Sequence, residues 1–269
     1  MHTHLIGILA ILLYLASSSL LVARMVRGLE PGAGGRNSVI GLGFAGVVLH
    51  AVVLWPALVT ASGLNLGFFN AASLIALLSA ALLLLASLYR PLENLGVLLL
   101  PVAALTIALM FAYSTEHIIL DQSSWQLDLH VLISVIAYSV LGLAALQALL
   151  LAVQEHQLRH HRLGGILQVL PPLRGMDLIL MQLIGVGFAL LTLALVTGVL
   201  FLEDIFAQHL VHKTVLSIIA WAVFGVLLWG HWRFGWRGRT AIRWTLGGFI
   251  FLMLSYFGTK LVLEILLRA

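Results

Sequence analysis

The stretch that decides the fold of this chain covers residues 125–151 and reads WQLDLHVLISVIAYSVLGLAALQALLL. From Val131 onward it carries no charged side chain over about 20 residues, the length with which a helix crosses the roughly 30 Å hydrocarbon core of a bilayer. A segment in lipid must satisfy its backbone hydrogen bonds internally, so this run is predicted to be helical. His130 stands about one turn inside it, where an imidazole costs free energy unless a partner holds it.

The rest of the chain has the same character. Of its 269 residues 62% are hydrophobic and 9% charged, with a mean hydropathy of +1.11, whereas soluble domains are nearer half apolar and a quarter charged. We predict an all-α polytopic integral membrane helical bundle, a single transmembrane domain over residues 1–269. Its eight spans are expected near residues 5–25, 38–61, 71–89, 95–113, 127–153, 178–202, 214–232 and 241–267.

The charges between the predicted spans alternate along the chain. Arginines flank the first, third, fifth and seventh loops, whereas the second loop is uncharged and the fourth and sixth are mainly acidic. By the positive-inside rule, the odd-numbered loops are cytoplasmic and both termini are extracytoplasmic. Because the basic residues do not form one patch, no nucleic acid is expected as a partner. The longest cytoplasmic segment, residues 155–177, is a candidate docking face for another membrane or cytoplasmic protein.

Histidine is the main metal donor that this sequence offers. The chain has 11 histidines and no cysteine, which excludes disulfides, thiolate-held zinc and iron–sulfur clusters. His130 and His212 lie on two different spans at similar predicted depth near the extracytoplasmic side. Two neutral imidazoles there could clamp a flat metal macrocycle, because axial ligation of haem needs one nitrogen from each face. The alternative is that each is an interfacial histidine bonded to a neighbouring carbonyl.

Three more residues are candidates for a cofactor site. His50 lies midway along the second span, where polar side chains usually face a bundle interior or a cavity; cofactor binding and a structural hydrogen bond to a neighbouring helix both explain it. Lys213 and Lys260 are cations near the predicted extracytoplasmic face, the sign that haem propionates require. For Lys260 the alternative is an ion pair with Glu264, one turn further along the helix.

Three segments together resemble a known family: WQLDLHVLISVIAYSVLGLAALQALLL, LPPLRGMDLILMQLIGVGFALLTLALVTG and HKTVLSIIAWAVFGVLLWGHWRFGWRGRTAIRWTLGGF. They are similar to the cytochrome c assembly superfamily of membrane proteins, above all to its small eight-span HemX-like branch. The resemblance implies a bacterial inner-membrane protein that binds haem b, with His130 and His212 as axial ligands of the iron. It also matches His50 to the membrane-embedded histidines that hold haem in transit.

The sequence departs from the haem-delivering members of that superfamily at one point. Those members carry a tryptophan-rich outer segment between the two outer histidines, whereas here VTG continues into VLFLEDIFAQHLVHK, which has no tryptophan. The resemblance therefore favours haem binding, sensing or regulation over direct attachment of haem to a cytochrome.

The preferred function is a haem-binding integral membrane protein that assists cytochrome c assembly or haem handling. The alternative is a structural or regulatory membrane subunit without a cofactor, partnering a metal-ion exporter or a tetrapyrrole enzyme. A small-solute transporter ranks last, because intramembrane charges are few and no inverted repeat is evident. We expect no enzymatic activity, since the sequence offers no nucleophile–base pair at a credible spacing.

Overall fold

The computed structural model describes residues 2–27, 35–61, 63–90, 92–113, 118–120, 125–159, 172–201 and 208–258, with only the backbone of residues 118–120 and 208–210. Within these ranges eight helices are long and apolar enough to cross a membrane. Their α-helical parts are α1 (His2–Val26), α2 (Arg36–Leu58), α3 (Phe68–Tyr89), α4 (Gly96–Ala112), α5 (Trp125–Arg159), α6 (Leu173–Phe201), α7 (Gln208–Phe234) and α8 (Arg239–Met253). The predicted all-α, eight-span fold is confirmed, and the extracytoplasmic position of both termini stays a prediction.

The helices differ from the predicted spans mainly at their ends. A 3-10 turn, Glu93–Leu95, precedes α4, and a π-helical turn, Leu254–Gly258, continues α8. α2 ends at Leu58, earlier than predicted, because the next two residues are extended. α3 ends before Arg90, which has φ −137° and ψ 150°. The residue after Arg90 is a proline, whose ring disfavours helical backbone at the preceding position.

Three short strands were not predicted. β1 (Val59–Thr60), β2 (Gly63–Asn65) and β3 (Ile118–Leu120) form an antiparallel sheet in that order, in which Leu64 pairs with both Val59 and Ile119. The sequence predicted β1 as the end of the second span, and β2 and β3 as parts of loops between spans. The sequence offered two signals for strands. Ile118 and Ile119 are adjacent isoleucines, and the β-branched pair Val59–Thr60 is followed shortly by glycine.

The chain divides into two compact units. Unit 1 contains Met1–Leu120 and His156–Pro172, and unit 2 contains Asp121–Glu155 and Leu173–Ala269. In unit 1, α1 packs against α2 and α4, and α3 packs against the same two helices. In unit 2, α7 packs against α6 and α8. The single transmembrane domain expected from sequence stays a prediction.

In unit 2, the Leu141 side chain of α5 packs onto α6 at a glycine, Gly187. A Cβ at Gly187 would lie 2.5 Å from Leu141 Cδ2, so a larger residue there would clash. Small residues at helix contacts are typical of membrane proteins. Further along, Gln147 Nε2 donates to the Met176 carbonyl at 3.0 Å and ties the same two helices by a polar contact. These contacts set the position of α5 against α6.

Candidate functional site

His130, in the second turn of α5, is held by α6. Its Nδ1 lies 3.1 Å from Thr197 Oγ1. The Thr197 hydroxyl donates its one proton to the backbone of α6, where the carbonyl oxygens of Leu193 and Ala194 lie at 2.8 and 3.1 Å. With its proton given to a backbone carbonyl, Thr197 accepts from the imidazole, and in that arrangement Nδ1 carries the ring proton and the lone pair of the neutral ring is on Nε2.

The close approach of the His130 ring to α6 depends on Gly198. A Cβ at this position would lie 3.1 Å from Cε1 of the ring, 3.6 Å from Nδ1 and 3.9 Å from Nε2. Any side chain at residue 198 would thus press on the imidazole edge and occupy space beside Nε2. Glycine leaves that space open.

His130 lines a cavity of about 550 Å³ in unit 2, whose other lining residues come from α6 and α7. Aliphatic side chains of α6 form most of the wall. The polar and aromatic residues that complete it are Thr192, Lys213, Thr214, Ser217 and Trp221. A mainly apolar cavity with a few polar groups is typical of a site for a small molecule or cofactor.

On the α7 side of the cavity, the donor and acceptor roles of the hydroxyl groups can be assigned. Ser255, in the π-helical turn, donates to the Lys213 carbonyl at 2.7 Å. The Ser255 oxygen also lies 2.7 Å from Ser217 Oγ. Because Ser255 has only one proton to give, Ser217 must be the donor of this second bond. Ser217 therefore presents only oxygen lone pairs to the cavity.

Trp221 packs on a neighbouring helix and also lines the cavity. Its ring stacks on Phe188 with the centroids 5.5 Å apart and the planes 21° from parallel. Its Nε1 donates to Thr192 Oγ1 at 2.9 Å, so the polar edge of the indole is bonded within the protein. The residue is 36% exposed and forms part of the cavity wall.

Two of the predicted site residues, His130 and Lys213, lie at the same cavity, and a third, His212, is not one of the described residues that line it. His212 is next to Lys213 on α7, and its side chain is exposed. The pairing of His130 with His212 stays a prediction. Lys260 and Glu264 lie outside the described part of the chain.

His50 lies in unit 1, and its side chain is fully buried. Its Nδ1 lies 3.3 Å from the Tyr14 hydroxyl of α1, and its Nε2 lies 2.7 Å from Ser73 Oγ of α3. Both ring nitrogens therefore have hydrogen-bond partners on neighbouring helices. The geometry favours the structural interpretation of His50, because ligation of iron would require one of these bonds to break.

Comparison with known proteins identifies the family. Residues 41–267 match the family model described as Cytochrome C assembly protein. The chain belongs to this family. It is similar to the Inner membrane protein YpjD of Escherichia coli (strain K12), with 32% identity over 266 residues that cover 97% of this chain and 98% of that protein. It is also similar to the Cytochrome c biogenesis protein CcsA of Chlamydomonas reinhardtii, with 25% identity over 145 residues, 53% of this chain and 40% of that protein.

No solved structure matches the chain significantly. Membership of the cytochrome c assembly family and the eight membrane-length helices confirm two predictions, the superfamily and the location. The protein is a multi-pass protein of the bacterial inner membrane. The narrower HemX-like assignment stays a prediction.

Four residues at the cavity were not predicted from the sequence: Gly198 and Ser217, which line it, and Thr197 and Ser255, which form hydrogen bonds with lining residues. Thr197 and Gly198 belong to the quoted VTG segment, and small residues at helix contacts are a signal that could have drawn attention to them. Ser217 and Ser255 are 38 positions apart in the chain. Nothing in the local sequence distinguishes them from other membrane serines, because their roles arise only where α7 meets the end of α8.

Proposed function

We propose that this protein binds haem in the cavity of unit 2 and handles it during cytochrome c assembly, with His130 as an axial ligand of the iron. The observation that carries the proposal is the contact of His130 Nδ1 with Thr197 Oγ1 at 3.1 Å, because a ring that donates there keeps a lone pair on its Nε2. Metal-ligating histidines usually donate their second ring nitrogen in this way, which orients the ring and raises its basicity.

The size and chemistry of the cavity support this proposal. Its volume of about 550 Å³ falls within the range of small-molecule sites, and its aliphatic wall suits an apolar macrocycle. Lys213 lines the cavity, and its positively charged ammonium group would pair with a propionate carboxylate. The flat ring of Trp221 adds an aromatic surface for the macrocycle. Lys260 stays a second candidate for a propionate.

We propose His212 as the second axial ligand of a bis-histidine site. Successive helical residues point about 100° apart, so the side chain beside Lys213 needs a rotamer change or a small rotation of α7 to reach the cavity. The chain has no cysteine, which excludes thioether attachment and favours haem b, bound without a covalent link to the protein.

The absorption spectrum of the protein, purified in detergent from haem-supplied cells, tests the first ligand. We expect a Soret band, and His130→Ala should reduce the bound haem at least tenfold. His231→Ala is the matched control, because His231 also belongs to unit 2 and forms a hydrogen bond at 2.8 Å, to the Trp236 carbonyl, away from the cavity. A colourless wild-type protein, or an equal loss in the His231 variant, would contradict the proposal.

The same spectra separate the two axial positions. With His130 and His212 both bound, the iron is six-coordinate and low-spin, and His212→Ala should convert it to a five-coordinate, high-spin form that keeps its haem. A low-spin spectrum in the His212→Ala variant would show that a group other than His212 completes the coordination of the iron. That result would remove His212 from the site and leave His130 in place.

A wild-type protein that stays colourless but co-purifies with another protein would instead support the cofactor-free subunit, partnering a metal-ion exporter or a tetrapyrrole enzyme. The candidate docking segment 155–177 is described only in part, since residues 160–171 lie outside the described ranges. We also propose that the protein is not an enzyme. Binding and release of haem require no chemical step, and the sequence offers no nucleophile–base pair at a credible spacing.

A further inference from the structure

Basic and aromatic side chains are concentrated in residues 229–244 of unit 2, where α7 ends and α8 begins. We refer to this segment as the basic corner. It contains four arginines and no acidic residue. It lies at the far end of α7 from His212 and Lys213, so it is separate from the haem site proposed above.

An aromatic scaffold holds the basic corner in one conformation. Trp236 folds back onto α7, where a Cβ at Gly230 would overlap its ring. The Trp236 carbonyl accepts a hydrogen bond from His231 Nδ1 at 2.8 Å. On its other side, the Trp236 ring stacks on Trp244 of α8, with centroids 5.6 Å apart and planes 30° from parallel. The corner is therefore a built structure rather than an extended loop.

Two ion pairs tie the corner to the neighbouring helices. Arg239 Nε lies 3.1 Å from Glu155 Oε1 of α5, and Arg237 Nε lies 3.9 Å from Asp177 Oδ2 of α6. Asp177 also accepts a hydrogen bond from the Gly238 amide at 3.3 Å. These two carboxylates balance two of the four arginines.

Among the described residues, no carboxylate forms an ion pair with Arg233 or Arg243, so the described part of this surface has an excess of two positive charges. Both arginines are exposed. The Arg233 guanidinium lies 5.9 Å from the ring centroid of Phe234, which is 59% exposed, and the neighbouring Trp232 is 81% exposed. Exposed aromatic rings beside basic side chains at the ends of membrane helices are typical of the headgroup level of a bilayer.

We propose that the basic corner binds the headgroup of an anionic phospholipid. Arg233 and Arg243 would pair with the negatively charged phosphate of the headgroup. Trp232 and Phe234 would contact the adjoining glycerol and the upper acyl chains. A lipid fits this surface better than a soluble anion because the charges and the exposed aromatic rings share the end of two membrane-spanning helices. The proposal does not depend on haem binding.

Native mass spectrometry of the full chain, released from detergent with equimolar phosphatidylglycerol and phosphatidylcholine, tests the proposal. We expect phosphatidylglycerol to dominate the bound lipid. Each basic side chain near an anionic lipid surface contributes enough to change affinity about fivefold, so Arg233→Gln/Arg243→Gln should weaken phosphatidylglycerol binding about twentyfold. Arg233→Lys/Arg243→Lys keeps the charge and should keep most of the binding.

Arg27→Gln/Arg90→Gln is the matched control, since it removes the same charge from two exposed arginines of unit 1. It should leave phosphatidylglycerol binding within about twofold of the wild type. Equal binding of the two lipids, an unchanged affinity in the Arg233→Gln/Arg243→Gln variant, or an equal loss in the control would overturn the proposal. Should the double glutamine variant fail to fold, the single variants carry the test, each with an expected loss of about fivefold.

Discussion

Replacing Gly198 with alanine should weaken haem binding without destabilising the protein. The new Cβ would lie 3.1 Å from His130 Cε1, closer than an ordinary van der Waals contact, so the ring must shift by a few tenths of an ångström. That ring is oriented by a hydrogen bond whose Nδ1–Oγ1 distance to Thr197 is already 3.1 Å. N–H···O bonds weaken beyond about 3.2 Å, so a small shift compromises this contact.

The size of the effect follows from the role of that bond. Loss of a group that orients a metal-ligating histidine typically lowers metal affinity 10- to 100-fold. We therefore expect about a tenfold loss of haem affinity in Gly198→Ala and a larger loss in Gly198→Val, whose branched side chain fills more of the space beside Nε2. The free energy of unfolding should change little, because the preference of a helix for alanine over glycine, about 1 kcal/mol, offsets the cost of the weakened hydrogen bond.

Haem titration of the apo-protein, followed at the Soret band, measures the affinity, and thermal unfolding of the same samples measures the stability. Gly185→Ala is the matched control on the same helix, since a Cβ there would meet no atom within 4 Å. It should raise the unfolding temperature and leave haem affinity unchanged. If Gly198→Ala and Gly198→Val both bind haem like the wild type, His130 is not the ligand in this cavity.

Three further predictions concern the packing of the two units, each measured as the change in thermal unfolding in detergent. Ser73→Ala removes the partner of His50 Nε2 at 2.7 Å and should cost about 0.6 to 2 kcal/mol, the range of interhelical hydrogen bonds in membranes; an unchanged midpoint would mean that the bond contributes nothing. Tyr138→Phe removes a buried donor to a carbonyl of α8 at 2.8 Å and should cost a similar amount, with haem content retained. Gly187→Ala should destabilise by about 1 to 3 kcal/mol through overpacking against Leu141, in contrast to the stabilising Gly185→Ala.

The spans could be predicted because their cause is local. In lipid, length and apolarity are sufficient to require a helix, so eight apolar runs became eight helices. The strands were missed for the opposite reason. Residues 118–120 form β3 only because β2, more than 50 positions earlier in the chain, offers its edge, and such a short segment carries little β signal of its own.

The roles of the two membrane histidines also could not be predicted from local sequence. His50 and His130 are both single imidazoles in apolar helices, and no local feature separates a structural residue from a ligand. The difference lies in their surroundings. His50 meets hydroxyl groups at both ring nitrogens, whereas His130 meets a threonine at one nitrogen, beside a glycine and a cavity.

The amino-acid sequence was sufficient to establish a helical protein of the inner membrane, its number of spans and the family to which it belongs, because the bilayer thickness and the need to satisfy the backbone act on each segment separately. The cavity beside His130, the tautomer of that ring and the donor role of Ser217 were decided by the tertiary structure alone. Each depends on hydrogen bonds and on close approach between helices that are far apart in the chain, and a hydroxyl becomes a donor or an acceptor only when its neighbours are in place.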